Sequence, residues 1–232
     1  MKKRLGLLFI FALTLVFFGC TDYDVHDAFK EENFNNFELS MVIELDSNDL
    51  KDSIKTDMIV DYNNIYSQVR IENAVIDIYI LEDWYAENYL VIGFNFNNSG
   101  YLWKNEKLDN TDIKKVKLDF NKIFSISLED FKKNDDGYYV IKEDKINKYI
   151  EDIYESLKYL EKLIEYKDMP YYDLYLKFKV EDKKLNILKF GYKFEVDNEV
   201  VSIDCEMVLS NYGKAGVVVP YYVQDEIKKR VG

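Results

Sequence analysis

Two cysteines and one histidine, Cys20, Cys205 and His26, are the residues of this 232-residue chain from which thiol or imidazole chemistry could be built. A Ser/His/Asp or Cys/His set needs an imidazole held rigidly beside its nucleophile. His26 instead sits in the acidic stretch TDYDVHDAFKEENFNN, which has no regular period, so it reads as a solvated side chain. Zinc sites built from His and Cys fail for the same reason. No phosphate loop and no Rossmann glycine pattern is present. The run Asn134-Asp135-Asp136-Gly137 lacks the EF-hand spacing and reads as a turn whose glycine can take positive φ. The 43 acidic residues could supply paired carboxylates, but most fall on strand faces expected to be wet. The expectation is a non-enzyme with no cofactor and no metal.

Cys20 has a different context. Lys2-Lys3-Arg4 precede an apolar run from Leu5 to Gly19 broken only by Thr14. Roughly 20 apolar residues are needed to cross a bilayer, so the run suits a signal peptide better than a span. It ends Val16-Phe17-Phe18-Gly19-Cys20, which resembles the lipobox of bacterial lipoproteins, with bulky Phe17 and Phe18 where that pattern prefers Leu and a smaller residue. The resemblance implies residues 1–19 as a signal peptide, cleavage before Cys20, and fatty acids on that cysteine. The partner would then be a membrane, held through an N-terminal acyl anchor on its extracytoplasmic face. Each buried acyl CH₂ contributes about 0.8 kcal/mol, and two chains hold stably. Residues 20–36 follow as an acidic tether.

Charge supports an anchor over surface attraction. Three of the 31 basic residues precede position 20 and all 43 acidic residues follow it, leaving a net −15 from Cys20 onward. Such a surface repels phosphate backbones, which excludes nucleic acid as a partner, and gains nothing from anionic headgroups.

One domain, 37–225, is expected to follow. Phe37, Leu39, Met41, Ile43 and Leu45 alternate with polar residues as a half-buried strand does. The stretch from Asp52 to Gln68 is poorly patterned. Strands are expected at Val69–Ile71, Ala74–Leu81, Tyr89–Phe96, Tyr101–Lys104 and Tyr138–Ile141, with a weaker one at Ile113–Phe120 and an undecided segment at Phe124–Phe131. From Glu143 to Tyr166 apolar residues recur every three or four positions, predicting a long amphipathic helix ended by Met169-Pro170. A three-stranded meander closes the pattern. Its inward sets are Tyr172, Leu174, Leu176, Phe178, Val180, then Leu188, Phe190, Tyr192, Phe194, Val196, then Val201, Ile203, Cys205, Met207, Leu209. Cys205 is thus a small core residue. The fold class is α+β, a curved antiparallel sheet packed on one long helix.

Two short motifs add a resemblance. Leu209-Ser210-Asn211-Tyr212-Gly213-Lys214 with Val217-Val218-Val219-Pro220, and Phe131 with Asp136-Gly137-Tyr138-Tyr139, are similar to segments of the bacterial lipoprotein-carrier superfamily. That resemblance implies a half-barrel wrapped over helices, with an apolar cavity for acyl chains. The implied lining is Leu174, Leu176, Phe178, Phe190, Tyr192, Phe194 and Ile203 from the sheet, with Tyr149, Ile153 and Leu157 from the helix. Two readings stand: a lipoprotein that binds a lipid or other hydrophobic ligand, and a surface interaction or adhesion lipoprotein without a small-molecule ligand.

Overall fold

The structure is a computed structural model and describes residues 27–47, 51–109, 127–146, 149, 171–196 and 199–231. Eleven strands form one open, curved antiparallel sheet: β1 (Asn36–Asp46), β2 (Lys51–Asp61), β3 (Asn64–Ile71), β4 (Ala74–Trp84), β5 (Glu87–Phe96), β6 (Tyr101–Leu108), β7 (Phe131–Lys133), β8 (Tyr139–Ile141), β9 (Tyr171–Glu181), β10 (Lys184–Val196) and β11 (Glu199–Ser210). The spatial order is β6-β5-β4-β3-β2-β1-β11-β10-β9-β8-β7, so two meanders are joined where β1 pairs with β11. The sheet is larger than the sequence reading implied. Strand β2 and most of β3 occupy the stretch to Gln68 that lacked a readable pattern. An α-helix, α1 (Tyr221–Val231), ends the described chain.

Local chemistry explains the hairpins. Tyr62, Glu72, Asn97, Asn98, Asp182 and Lys183 take positive φ in the tight turns, as the right-handed strand twist demands, and Gly100 and Gly137 do so at +98° and +81°. A register shift separates Gly191 and Lys193, beside Asp173 at φ 53°. That irregularity pairs Tyr172 with Lys193 and Tyr171 with Phe194. The extra residue between Tyr172 and Tyr175 breaks the simple alternation on which the inward set was read.

Residues directly opposite in adjacent strands share a face, which divides the sheet into two sides. On the inner side Phe37, Leu39 and Ile43 of β1 lie beside Val60, Met58 and Ile54 of β2 and beside Leu209 and Cys205 of β11. This side carries the larger core, with Leu176, Phe178, Leu188 and Phe190. Phe178 is fully buried at the centre of an aromatic group, 5.0 Å from Phe29, 4.9 Å from Phe131 and 5.1 Å from Tyr139. The second core is on the outer side. Tyr79 pairs with Tyr66 and Val91, Leu81 with Tyr89, and α1 covers them with Val223 and Ile227.

Part of the acidic tether expected over 20–36 belongs to the folded body. Ala28, Asn33, Phe34 and Asn36 are buried. The Asn36 side chain bonds the backbone of Ala215 in both directions, its Nδ2 donating to the carbonyl at 2.8 Å and its Oδ1 accepting the amide at 2.9 Å. Phe34 and the amphipathic Asn side chains find partners only in the fold, which is why the segment read as solvated. The ordered elements run past 225, through α1 to Val231. Cys20, His26, the weaker strand at 113–120 and helix positions 150–166 lie outside the described residues.

Candidate functional site

Of the sheet residues expected to line a ligand site, Leu176, Phe178, Phe190, Tyr192 and Ile203 share the inner side. Phe190 lies opposite Leu176 and Cys205, and Leu188 lies opposite Phe178 and Met207. Leu176, Phe178 and Phe190 are packed into the larger core, and Ile203, opposite Tyr192, is partly buried against it. Leu174 and Tyr192 are partly exposed at the end of the same strands. Phe194 occupies β10 two positions beyond Tyr192. The buried Tyr149 joins this group from the start of the expected helix. Its hydroxyl bonds the Asp130 carboxylate at 2.9 Å, accepts the Ser127 amide at 2.9 Å, and its ring meets Phe131 at 5.5 Å. Ile153 and Leu157 lie outside the described residues.

The Cys205 thiol behaves as a core group. Burial, with a smaller contribution from the Glu206 charge, pushes its pKa up to about 12, so it stays protonated and inert at neutral pH. Tyr212 of the resembling Tyr-x-Lys motif closes the core. Its ring stacks on Phe37 at 6.1 Å and its hydroxyl donates to the Leu185 carbonyl at 2.5 Å.

Beyond β1 the inner side stays apolar while burial falls. Ile65 pairs with Ile80 and Ile80 with Leu90; Ile78 pairs with Ile92, and Ile76 with Phe94. These side chains are intermediate in exposure and continue the line from Phe37 through Val60 to Ile65. At the hairpin tip Phe96 and Leu102, on that same side, are 54% and 74% exposed.

A polar and aromatic cluster on the outer side escaped the sequence reading. Asp77, only 4% exposed, accepts hydrogen bonds from the Tyr66 hydroxyl at 2.9 Å and the Gln68 amide at 2.8 Å, and the Tyr101 hydroxyl also bonds it. Trp103 stacks on Tyr101 at 5.1 Å and meets Tyr222 of α1 at 5.3 Å. Burial first, then the nearby carboxylate, raises the Tyr66 and Tyr101 hydroxyl pKa values, Tyr101 to about 12. Its members come from three strands and a helix. The local signals were Asp77 interrupting an apolar strand and a glycine, Gly93, in the next.

Among the described residues no group of three or more His, Cys, Asp or Glu could hold a metal ion, and no helix is long and apolar enough to cross a membrane. No family model matches the chain, and no curated protein is similar to it. Among solved structures it is similar to a DUF1329 family protein from Desulfovibrio piger, with 10% identity and a TM-score of 0.25 over 88% of this chain and 96% of that one.

Proposed function

We propose that this is a membrane-anchored extracytoplasmic lipoprotein that binds a lipid or other hydrophobic ligand along the inner side of its sheet, in the manner of a lipoprotein-carrier half-barrel. The observation that carries the reading is the apolar track Ile65, Ile78, Ile80, Leu90, Ile92 and Phe94, continuous with the larger core yet less completely buried. Apolar surface of this kind binds acyl chains by removing both from water, at about 25 cal/mol per Å². The lipobox-like segment ending at Cys20 supplies the anchor.

Mass spectrometry of organic extracts tests the reading on protein purified from its native host. A lipid is expected at near-stoichiometric yield, with Ile92→Glu lowering it; an empty extract from folded protein sinks the proposal. Cys20→Ala should remove the acyl mass and release the protein from membranes. A surface-interaction role is the second reading, favoured by the exposed Phe96 and Leu102, since protruding apolar side chains also mark contact sites.

A further inference from the structure

We propose that the end of the sheet at which the chain enters β1 rests on the bilayer, with the β2–β3 and β4–β5 hairpin tips set into its headgroup layer. The inference rests on the reading of Cys20 as an acyl anchor. Asp27 follows Cys20 by seven positions, a stretch that can reach at most about 25 Å. At this end Asp27 pairs with Lys183 at 3.6 Å, beside the polar Asp182-Lys183 tip of β9–β10. The chain then enters β1 next to the β2–β3 tip, where the Asn35 carbonyl accepts the Tyr62 amide at 2.7 Å. Strands β2 to β5 have 8 to 11 residues, which places the opposite end roughly 25–35 Å away. So short a link keeps the entry end at the membrane.

The tips of the β2–β3 and β4–β5 hairpins differ in kind from those at the opposite end. Tyr62 and Tyr85 stand at turn positions with φ of 37° and 51°, where a bulky side chain is seldom found. They are 60% and 50% exposed. The two tips are tied together, since the Trp84 indole donates to Asn64 Oδ1 at 3.3 Å and its ring meets Tyr85 at 6.4 Å. Val218, 81% exposed, follows Val217, whose amide donates to the Asp61 carboxylate of the first tip at 3.4 Å. Among the described residues, tips at the opposite end read Glu72-Asn73 and Asn97-Asn98-Ser99-Gly100, the polar residues such turns favour. Phe96 and Leu102, exposed beside the latter, lie on the inner side and continue its apolar track. Exposed tyrosines held in left-handed backbone at one end only point to a use outside the fold. Tyrosine and tryptophan suit the headgroup layer, where the ring leaves water and the polar tip keeps it. Such contact is apolar rather than ionic, in keeping with the acidic surface.

Tryptophan quenching on vesicles tests this with the full lipidated chain, which has two tryptophans. Trp103→Phe leaves Trp84 at the proposed contact, and Trp84→Phe leaves Trp103 on the β5–β6 hairpin. On phosphatidylcholine vesicles with acyl chains brominated near the headgroup, Trp84 emission should fall about twofold while Trp103 emission holds. The paired substitutions Tyr62→Asn and Tyr85→Asn, which suit positive φ, should abolish the quenching in protein that still floats with the vesicles. Near-ultraviolet circular dichroism establishes that each variant is folded. Cys20→Ala should show no quenching, which separates bilayer contact from brominated lipid taken up on the inner side. Bound, folded protein with Trp84 unquenched, or with Trp103 quenched as strongly, overturns the orientation and leaves the anchor standing. Quenching that survives the paired Asn substitutions or Cys20→Ala overturns it too. Failure of the unaltered chain to float with vesicles removes the anchor reading, and this inference with it.

Discussion

The meander β9–β11 and the meander β3–β6 belong to one sheet but bury opposite sides of it. Around β9–β11 the inner side is packed and the outer side is wet, carrying Lys177, Lys189 and Glu206 in one cross-strand row. In β3–β6 the outer side is packed beneath α1, while the inner side keeps its apolar residues at intermediate exposure. Each core holds one buried carboxylate tied by tyrosine hydroxyls, Asp130 by Tyr149 and Asp77 by Tyr66. A sheet long enough to twist can thus serve two cores, and the residues on its unpacked inner stretch become available for other contacts.

Truncating the centre of each core probes that division most strongly. Phe178→Ala should cost about 3–5 kcal/mol and Ile227→Ala about 2–4 kcal/mol, read from urea unfolding followed by circular dichroism. If the halves form one cooperative unit, both variants shift a single transition. A split transition for Ile227→Ala alone would show that the outer core melts separately.

Asp77→Ala should cost roughly 2–3 kcal/mol, because it strands buried donors of Gln68 and two tyrosines. An unchanged unfolding midpoint would mean that this network contributes nothing to docking α1. Gly93→Ala should cost about 1–3 kcal/mol by displacing the Trp103 ring, with a shift in tryptophan emission. Gly191 of β10 seats the Tyr175 ring in the other half in the same way, a Cβ there coming within 2.6 Å of it.

Alkaline pH offers a milder contrast. Tyr66, Tyr79 and Tyr101 of the outer cluster and Tyr212 and Cys205 of the larger core all have folded pKa values above their ordinary ones, mainly through burial. The unfolded chain releases these protons first. Their stabilisation is therefore complete below pH 9–10, where the unfolded groups titrate from 9.0 and 10.0, and is lost as pH rises toward the folded values. Urea midpoints should be level at neutral pH and fall steeply by about pH 11. A flat profile across that range would contradict the burial of these groups. Least of all, Leu102→Ser should leave stability within about 0.5 kcal/mol, since its side chain is 74% exposed.

The residues of β1 and β9–β11 could be placed on their strands from sequence because one side of each is wet. Phe37 to Leu45 and Leu174 to Leu209 alternate cleanly, and the structure packs Leu176, Phe178, Phe190, Cys205 and Leu209 on one side. Strands β4 and β5 read as apolar runs without a preferred side, since Ile78 and Tyr79, or Val91 and Ile92, are both apolar and point oppositely. The same division separates the side shared by Leu176, Phe178 and Phe190, which was legible, from the Asp77 cluster, which was not. The sequence by itself determined where most strands and turns fall, because alternation and turn chemistry are local. Which side each half buries, the β1–β11 pairing that joins the meanders, and the gathering of Tyr66, Asp77, Tyr101, Trp103 and Tyr222 were decided only in the tertiary structure. Those depend on contacts between residues up to about 170 positions apart, and no local pattern encodes the partner across such a distance.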